Sequence, residues 1–600
     1  MQIWCLDFET FFSSDYTLKS LTTEAYIRDP RFEALMLAVR DPDGNKFWVP
    51  QEGIPAFLAS VDWSQHAILC HHAQFDGLIF SHHYFVRPRL WLDTLSMARL
   101  VHGNHLSVAL GSLAHHYNLQ EKSVPYEAFK GKRWAEIDTA LRALLGSGAC
   151  DDVDLTWTIF QELAKVFPVE EYAVVDATIR MFTEPVLVGD AEALAKIQHD
   201  EIERKYKLLN ALGVNEKDLQ SAPKFVALLE ELGVEVEYKD GKNGPIPAIA
   251  ATDDFMKGLE NDSDETISGL ATARLEVRST IDQTRAGRLL GMAQRGNLPV
   301  YLQYAGAHTT RWSGGDKVNL QNLPRGGAIR KAISAPDGYL LGVVDASQIE
   351  YRCLCYVASQ LDKLDALREG RDLYCEQASR FYGRVITKAD KLERGFGKVN
   401  ILGCGYMMGP ARFQRICHLG PMGAPPIELT LEEAKLGIDV YRNTHPMVVG
   451  LWKEADMVLK VLANKGWMTW RCGMIVKDGR IYGPGGTWLD YTTLVWDGEE
   501  REYRLKTRRG WTKMYSGRLV ENVVQWLARI VMSQAMIRVI NRGYRVLGTT
   551  HDELMVLLAD DEHAEWHVKN VLEAELAATP EWMPGIPLAA EGHASKRYEK

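Results

Sequence analysis

The chain has no Cys-x-x-Cys pair. Its nine cysteines are scattered from Cys5 to Cys472, which argues against a structural zinc and fits a reducing compartment. Positive charge is not in excess either. Lys and Arg number 69 against 79 Asp and Glu, a net charge of −10, which disfavours a surface coated in nucleic acid but is compatible with a local basic groove. No run approaches the ~18 apolar residues of a membrane helix. The opening MQIWCLDFET has neither the basic nor the apolar region of a signal peptide, so a cytoplasmic protein is expected. Repeats and low-complexity tracts are absent.

What is present is ordinary in bulk. A hydrophobic share of 46% and a charged share of 25% are those of a folded chain. Its 600 residues exceed one core, so roughly two to four domains are expected. Residues 1–165 alternate strand and helix patterns, as in QIWCLDFET and AILCHHAQFDGLIF, and predict a compact α/β domain. Residues 170–300 read as mostly helical, broken by the turn KDGKNGPIP, and mixed patterning returns from Tyr301. The segment 485–518 reads as a hairpin or small sheet. Between Arg501 and Arg518 it carries Arg504, Lys506, Arg508, Arg509 and Lys513, interleaved with Tyr503, Trp511 and Tyr515, a pattern suited to a phosphate backbone or to a solvated hairpin.

Two distant apolar segments end in acids. One is LLGVVDASQIEYR with Asp345 and Glu350, the other LGTTHDELMVLL with His551, Asp552 and Glu553. Where two such strands meet, paired carboxylates can hold divalent metal for phosphoryl transfer. Between them, Arg394 and Lys398 in RGFGKVNILGCGYMMG lie one helical turn apart, on one face, where two cations can grip a triphosphate. At the N-terminus Asp7 and Glu9 are two apart on a strand and share a face; Asp76 follows in HHAQFDG, and Asp152 in GACDDVDLTW at an expected helix start. Paired histidines at 71/72, 82/83 and 115/116 have no zinc spacing and are expected at helix ends and on the surface.

The segment AGAHTTRWSGGDKVNLQNLPR, with the acids and basic pair above, resembles the palm entrance of family A DNA polymerases. Arg311 and Asn319 to Arg325 match that family's pattern, and Thr310 stands in place of a glycine. The four N-terminal acids resemble the DEDD 3′–5′ exonucleases. The resemblance covers nearly the whole chain, and the run YSGRLVENVVQ is similar to phage enzymes.

It implies an α/β multidomain fold: an RNase H-like exonuclease domain over 1–185, a helical linker and thumb over 186–300, and palm and fingers over 301–600. The fingers would span roughly 365–480 and residues 520–600 would complete the palm. A 5′ nuclease domain is not expected ahead of Met1. Two Mg2+ per site, with Mn2+ as a substitute, would be held by Asp345 and Asp552 and, in the exonuclease, by Asp7, Glu9, Asp76 and Asp152. Arg394, Lys398, Tyr374 and Leu402 would contact the dNTP. Tyr374 stands in the place of a phosphate-binding histidine; Leu402 replaces Phe or Tyr beside the sugar, implying altered handling of dideoxynucleotides. Glu350 would act as the steric gate against a 2′-OH and Tyr406 would stack on the template side, with Met407 in place of a glycine. His551 and Glu553 would support Asp552. Arg311, Asn319, Gln321, Asn322, Arg325 and Gln525 would contact primer–template.

Two positions depart from the exonuclease pattern. His72 stands for asparagine, and Gly148 stands where Tyr or His positions the attacking water. Either excision is slow, or a neighbour such as Tyr172 or a histidine substitutes. The function implied is template-directed DNA synthesis from primer–template and dNTPs by a monomer, in phage replication, with replication accessory proteins as further partners. Some such phage genomes carry 2-aminoadenine, a reading the sequence leaves open. The alternative is a 3′–5′ exonuclease whose C-terminal half mainly binds DNA.

Overall fold

The computed structural model describes residues 1–600 apart from 104, 121, 123, 125, 242–243, 252, 261, 279–280, 421–425, 509 and 600. The chain divides into two compact units. One comprises Met1–Pro185, Pro299–Asn322 and Asp337–Ser595, the other Val186–Leu298, Leu323–Pro336 and Lys596–Lys600. Residues 301–600 are therefore not one continuous block, as the sequence led us to expect. The strand Ile333–Ser334 pairs with Val188–Gly189, and the Arg330 guanidinium sits 3.7 Å over the Tyr598 ring, so both segments belong with the second unit. That unit is helical, with a core that includes Phe225, Leu229, Met256 and Leu270.

In the first unit, β1 (Ile3–Thr10), β2 (Ala34–Arg40), β3 (Lys46–Pro50), β4 (Ala67–Cys70) and β5 (Leu90–Asp93) form a sheet in the order β3-β2-β1-β4-β5. β1 runs parallel to β4 and antiparallel to β2. β4 is buried at every position, the near-continuous apolar reading of a parallel strand covered on both faces. The helices α1 (Ala73–His83) and α2 (Thr139–Ala164) pack against this sheet, α1 on β4 and β5, α2 on β1 and β2.

Asp152 lies in the middle of α2 rather than at a helix start. Gly146 and Gly148 are places of close packing within the helix: a Cβ on Gly146 would collide with the Trp48 indole, and one on Gly148 would stand 2.8 Å from Val124 Cγ2. A glycine bare on its packing side can stay in a helix whose neighbour fills the space.

A second sheet holds β6 (Tyr339–Ala346), β7 (Arg545–Thr550), β8 (Glu553–Ala559) and β9 (Ala590–Ser595), ordered β7-β8-β6-β9 and antiparallel throughout. Residues 467–490 form a four-stranded sheet and 494–514 a three-stranded one, more strand than the small sheet expected over 485–518.

The helix α3 spans Lys391–Cys404, and a long apolar helix, α4, spans Ser516–Asn541. By length and composition α4 could cross a membrane, contrary to the reading of the bare sequence, but 72% of its apolar window is buried, as in a core helix. Its interior holds an ion pair. Arg529 Nη1 and Nη2 donate to Glu171 Oε1 and Oε2 at 2.5 and 2.7 Å, and the Tyr304 hydroxyl donates to Glu171 Oε2 at 2.6 Å. The guanidinium also lies 5.2 Å from the Tyr304 ring and 5.1 Å from that of Trp312.

Arg529→Met should therefore strand a buried carboxylate. We expect a loss of about 3–5 kcal/mol, read as a lowered melting temperature of the full chain. A melt unchanged within a degree would show that the pair contributes nothing.

Candidate active sites

β6 carries Asp345 near its end. In the ladder Asp345 stands opposite Glu553 on one side and Glu591 on the other. Residues 551 and 552 form a two-residue loop between the paired Thr550 and Glu553. Ala346 N donates to Asp552 O at 2.8 Å, which fixes Asp552 beside Asp345. His551 takes left-handed backbone (φ 54°). Loops this short favour Asn-Gly or similar pairs, so His-Asp is kept against turn preference. Glu553 is buried, whereas the Asp552 side chain keeps 28% exposure.

Arg311 joins this group. Its Nη2 lies 2.6 Å from Glu350 Oε1 and 3.5 Å from Asp552 Oδ1. Burial alone would lower its pKa, but the two carboxylates overcome that and raise it, so the guanidinium stays charged between them. Tyr406 feels Glu350 as well: burial, then that charge, pushes its phenol up. Gly517, at the start of α4, permits the approach to Tyr406, because a Cβ there would collide with Tyr406 O. The structure thus brings Asp345, Asp552, Glu553, Glu350, Arg311 and Tyr406 together.

Arg394 and Lys398 lie on α3. Arg394 Nε donates to Asp372 Oδ2 at 2.9 Å, and its guanidinium is 5.3 Å from the Tyr374 ring. Asp372 also caps the helix Leu373–Tyr382 by accepting from Tyr374 N and Cys375 N at 3.1 Å. Sequence reasoning missed Asp372; the run RDLYCEQ carries its capping signal. Burial pushes the Tyr374 phenol up to about 12. Leu402 packs against the cluster of Tyr351, Leu373 and Tyr374.

The remaining residues expected on primer–template differ in exposure. Gln321 is buried, with Nε2 3.4 Å from Thr549 O, and Asn319 Oδ1 accepts from Gln321 N at 3.0 Å. Asn322 is exposed, and Arg325 is an exposed residue of the second unit. Gln525 accepts from Thr309 Oγ1 at 3.4 Å and donates to Glu521 Oε1 at 3.3 Å.

In the 494–514 sheet the basic character is offset in part. Arg504 pairs with Asp497 at 3.1 Å and Glu502 at 2.9 Å, and Lys513 pairs with Glu502 at 2.6 Å. Arg509 lies outside the described residues.

The N-terminal acids form a second site. Ligand atoms of Asp7, Glu9 and Asp152 lie within 4.8 Å of one another, and all three line a cavity of about 660 Å³. Asp76 lines the same cavity, with Oδ1 accepting from Phe8 N at 3.0 Å. Glu9 Oε1 is buried without a hydrogen-bond partner among the described residues, the condition of an oxygen left for a cation. Burial, then the charge of Asp152, pushes the Asp7 carboxyl up to about 7, against the pull of Lys122.

His71 and His72 line this cavity, contrary to the surface placement expected. His72 precedes α1 in left-handed backbone (φ 83°), which explains why asparagine suits the position. The His72 ring lies 3.0 Å from Tyr301 Oη, and burial lowers its pKa to about 4. Tyr172, one proposed substitute for residue 148, packs edge-on against Phe167 at 4.9 Å and does not line the cavity. Tyr126 and Lys122 do, and no motif pointed to either.

Residues 191–470 match the family model described as DNA polymerase family A. It is 25% identical over 400 residues to the DNA polymerase of Bacillus phage SP02, across 58% of this chain and 60% of that one. It is 27% identical over 378 residues to the thermostable DNA polymerase I of Thermus thermophilus, across 59% of this chain and 40% of that one. The chain therefore spans about 60% or less of these relatives. The fold is similar to the POL domain of Pol1 from M. smegmatis in complex with DNA primer-template and dNTP. The TM-score is 0.66 at 18% identity, over 99% of this chain and 95% of that one.

Thr310 (φ 58°) and Met407 (φ 63°) both occupy left-handed backbone, the conformation for which glycine is the default. Thr310 is 5% exposed, and its hydroxyl has no hydrogen-bond partner among the described residues. Thr310→Gly should relieve strain of about 1 kcal/mol and raise the melting temperature; a fall would show that threonine packing outweighs strain.

Asp7 gives a pH signature. Its folded pKa of about 7 exceeds the ordinary 3.8, so the folded chain keeps a proton that the unfolded chain releases. In metal-free protein its contribution to stability is present below the ordinary value and is lost as pH rises toward the folded one. Melts between pH 4.5 and 7.5 should show a smaller decline in Asp7→Asn than in wild type, and added Mn2+ should reverse the wild-type decline at the upper end.

Proposed function

We propose that the chain is a template-directed DNA polymerase that extends a primer 3′-OH with dNTPs. The observation that carries this reading is the backbone bond from Ala346 to Asp552 at 2.8 Å, which brings the residues Asp345 and Asp552 to neighbouring strand ends; we take their carboxylates as the metal ligands. Two such hard oxygen donors suit Mg2+, with Mn2+ able to replace it. Bound there, the two ions would lower the pKa of the primer hydroxyl and neutralise the leaving pyrophosphate.

The chain's own groups do the rest. Arg394 and Lys398 hold the triphosphate from one helix face, with Arg394 exchanging Asp372 for phosphate. Tyr374 supplies a hydroxyl near that end, and Leu402 meets the sugar. Glu350, held in place by Arg311, fills the space of a ribose 2′-OH. Tyr406 stacks beside the template base. His551 meets the primer end, while Glu553 shapes the site. Arg311, Asn319, Gln321, Asn322, Arg325 and Gln525 track the primer–template.

Asp7, Glu9, Asp76 and Asp152 form the metal cage of an RNase H-like 3′–5′ exonuclease that removes mispaired ends. Support comes from their shared cavity and the orphaned Glu9 oxygen. The biological setting we infer is replication of a phage genome in the bacterial cytoplasm, which the similarity to the SP02 polymerase supports.

Asp552→Ala should slow primer extension by about a thousandfold or more, equivalent to roughly 4 kcal/mol of barrier. Glu350→Ala should raise ribonucleotide incorporation. Full extension by Asp552→Ala would sink the polymerase reading and leave an exonuclease with a DNA-binding C-terminal half. Wild type should degrade a mispaired 3′ end faster than Asp7→Ala; equal rates would remove the exonuclease assignment. Replacing dATP by the 2-aminoadenine nucleotide in the extension assay reads whether the enzyme serves a modified-adenine genome.

A further inference from the structure

The N-terminal cavity is lined by a cation of the chain's own. The Lys122 ammonium lies 2.7 Å from Asp152 Oδ2 and 3.2 Å from Tyr126 Oη, and 5.3 Å from the Tyr126 ring centroid. Burial would lower the pKa of this ammonium, yet Asp152, Asp7 and Glu9 together raise it, so its charge faces all three ligand-bearing acids. Lysine carries a compact point charge with three donors, the nearest a side chain comes to a small metal ion.

The backbone explains how Lys122 reaches this place. A Cβ on Gly148 would stand 2.8 Å from Val124 Cγ2 and 3.2 Å from Val124 Cα. Position 148 is bare because Val124 lies against it, and a side chain there would push Val124 off α2. Lys122 and Tyr126 flank Val124 and line the cavity. The missing side chain at 148 and the arrival of Lys122 are thus one structural substitution.

We propose that Lys122 is a resident cation of this acid site. Its ammonium takes one of the two cation positions offered by Asp7, Glu9 and Asp152, so the site accepts one divalent ion instead of two. Tyr126 is a positioning residue: through its hydroxyl and ring it holds the ammonium on Asp152. A second divalent ion on Asp152 would lie next to the ammonium, and their repulsion, weakly screened in a buried site, excludes it. This inference rests on the reading of the acids as a metal cage.

The test counts Mn2+ bound to the full-length protein by electron paramagnetic resonance. Ions lost on Asp7→Asn are those of the cage, which separates them from ions at Asp345 and Asp552. One Asp7-dependent ion is expected in wild type, two in Lys122→Met, and one in Lys122→Arg, which keeps the charge. Circular dichroism checks that each variant folds, and Lys122→Gln serves as a second neutral variant. Two Asp7-dependent ions in wild type, or one in both neutral variants, would overturn the proposal while leaving the metal cage standing. No Asp7-dependent ion in wild type or in either neutral variant would overturn the cage and the proposal together.

Discussion

The first unit depends on a buried ion pair. Arg529 projects from the apolar α4 and is fully enclosed; Glu171 comes from the helix Val169–Thr183, and Tyr304 closes the carboxylate's remaining valence. A charge so placed is tolerable only when paired; both Nη atoms of Arg529 are taken up by Glu171, while its buried Nε has no hydrogen-bond partner among the described residues. Pairing the charge fixes the rotation of α4 about its own axis. That rotation sets which α4 residues are turned toward the site: Gly517 under Tyr406 and Gln525 beside Thr309. A purely apolar contact could slide by a turn; a bidentate guanidinium cannot.

Much of the candidate site was legible because its signals are local. Asp345 lies near the end of one apolar strand run and Asp552 just before another, and the spacing of Arg394 and Lys398 places them on one helix face whatever surrounds them. The shift to helical patterning near residue 170 is local in the sequence; the division between Pro185 and Val186 is set by packing. What escaped is what tertiary contact decides. The pairing of Ile333–Ser334 with Val188–Gly189 has no sequence signature. Nor does the pairing of Arg504 and Lys513 with Asp497 and Glu502, which takes up two of the cations between 501 and 518.

Gly148 shows the same limit from the other side. Its departure was visible as an absence, and the search for a substitute looked to Tyr172 and the histidines. Val124 occupies the space beside residue 148, and Lys122 and Tyr126 join His71 and His72 in lining the cavity, which no local signal announced for the first two. Thr310 and Met407 are the reverse case. There the backbone demand is retained, with φ of 58° and 63°, while the residue that meets it without strain is gone. Local rules fail most often where a site is built, because chemistry and folding then compete for the same positions.

The loop that presents Asp552 is constrained in a further way. Only His551 and Asp552 separate the paired Thr550 and Glu553. Side chains along a strand alternate between faces, so one inserted residue would turn every position of Glu553–Ala559 to the opposite face. Leu554, Val556 and Leu558, now enclosed, would be presented to the side where Asp345 stands. The identity of the loop residues can drift within what chemistry permits, but the loop's length cannot change by one.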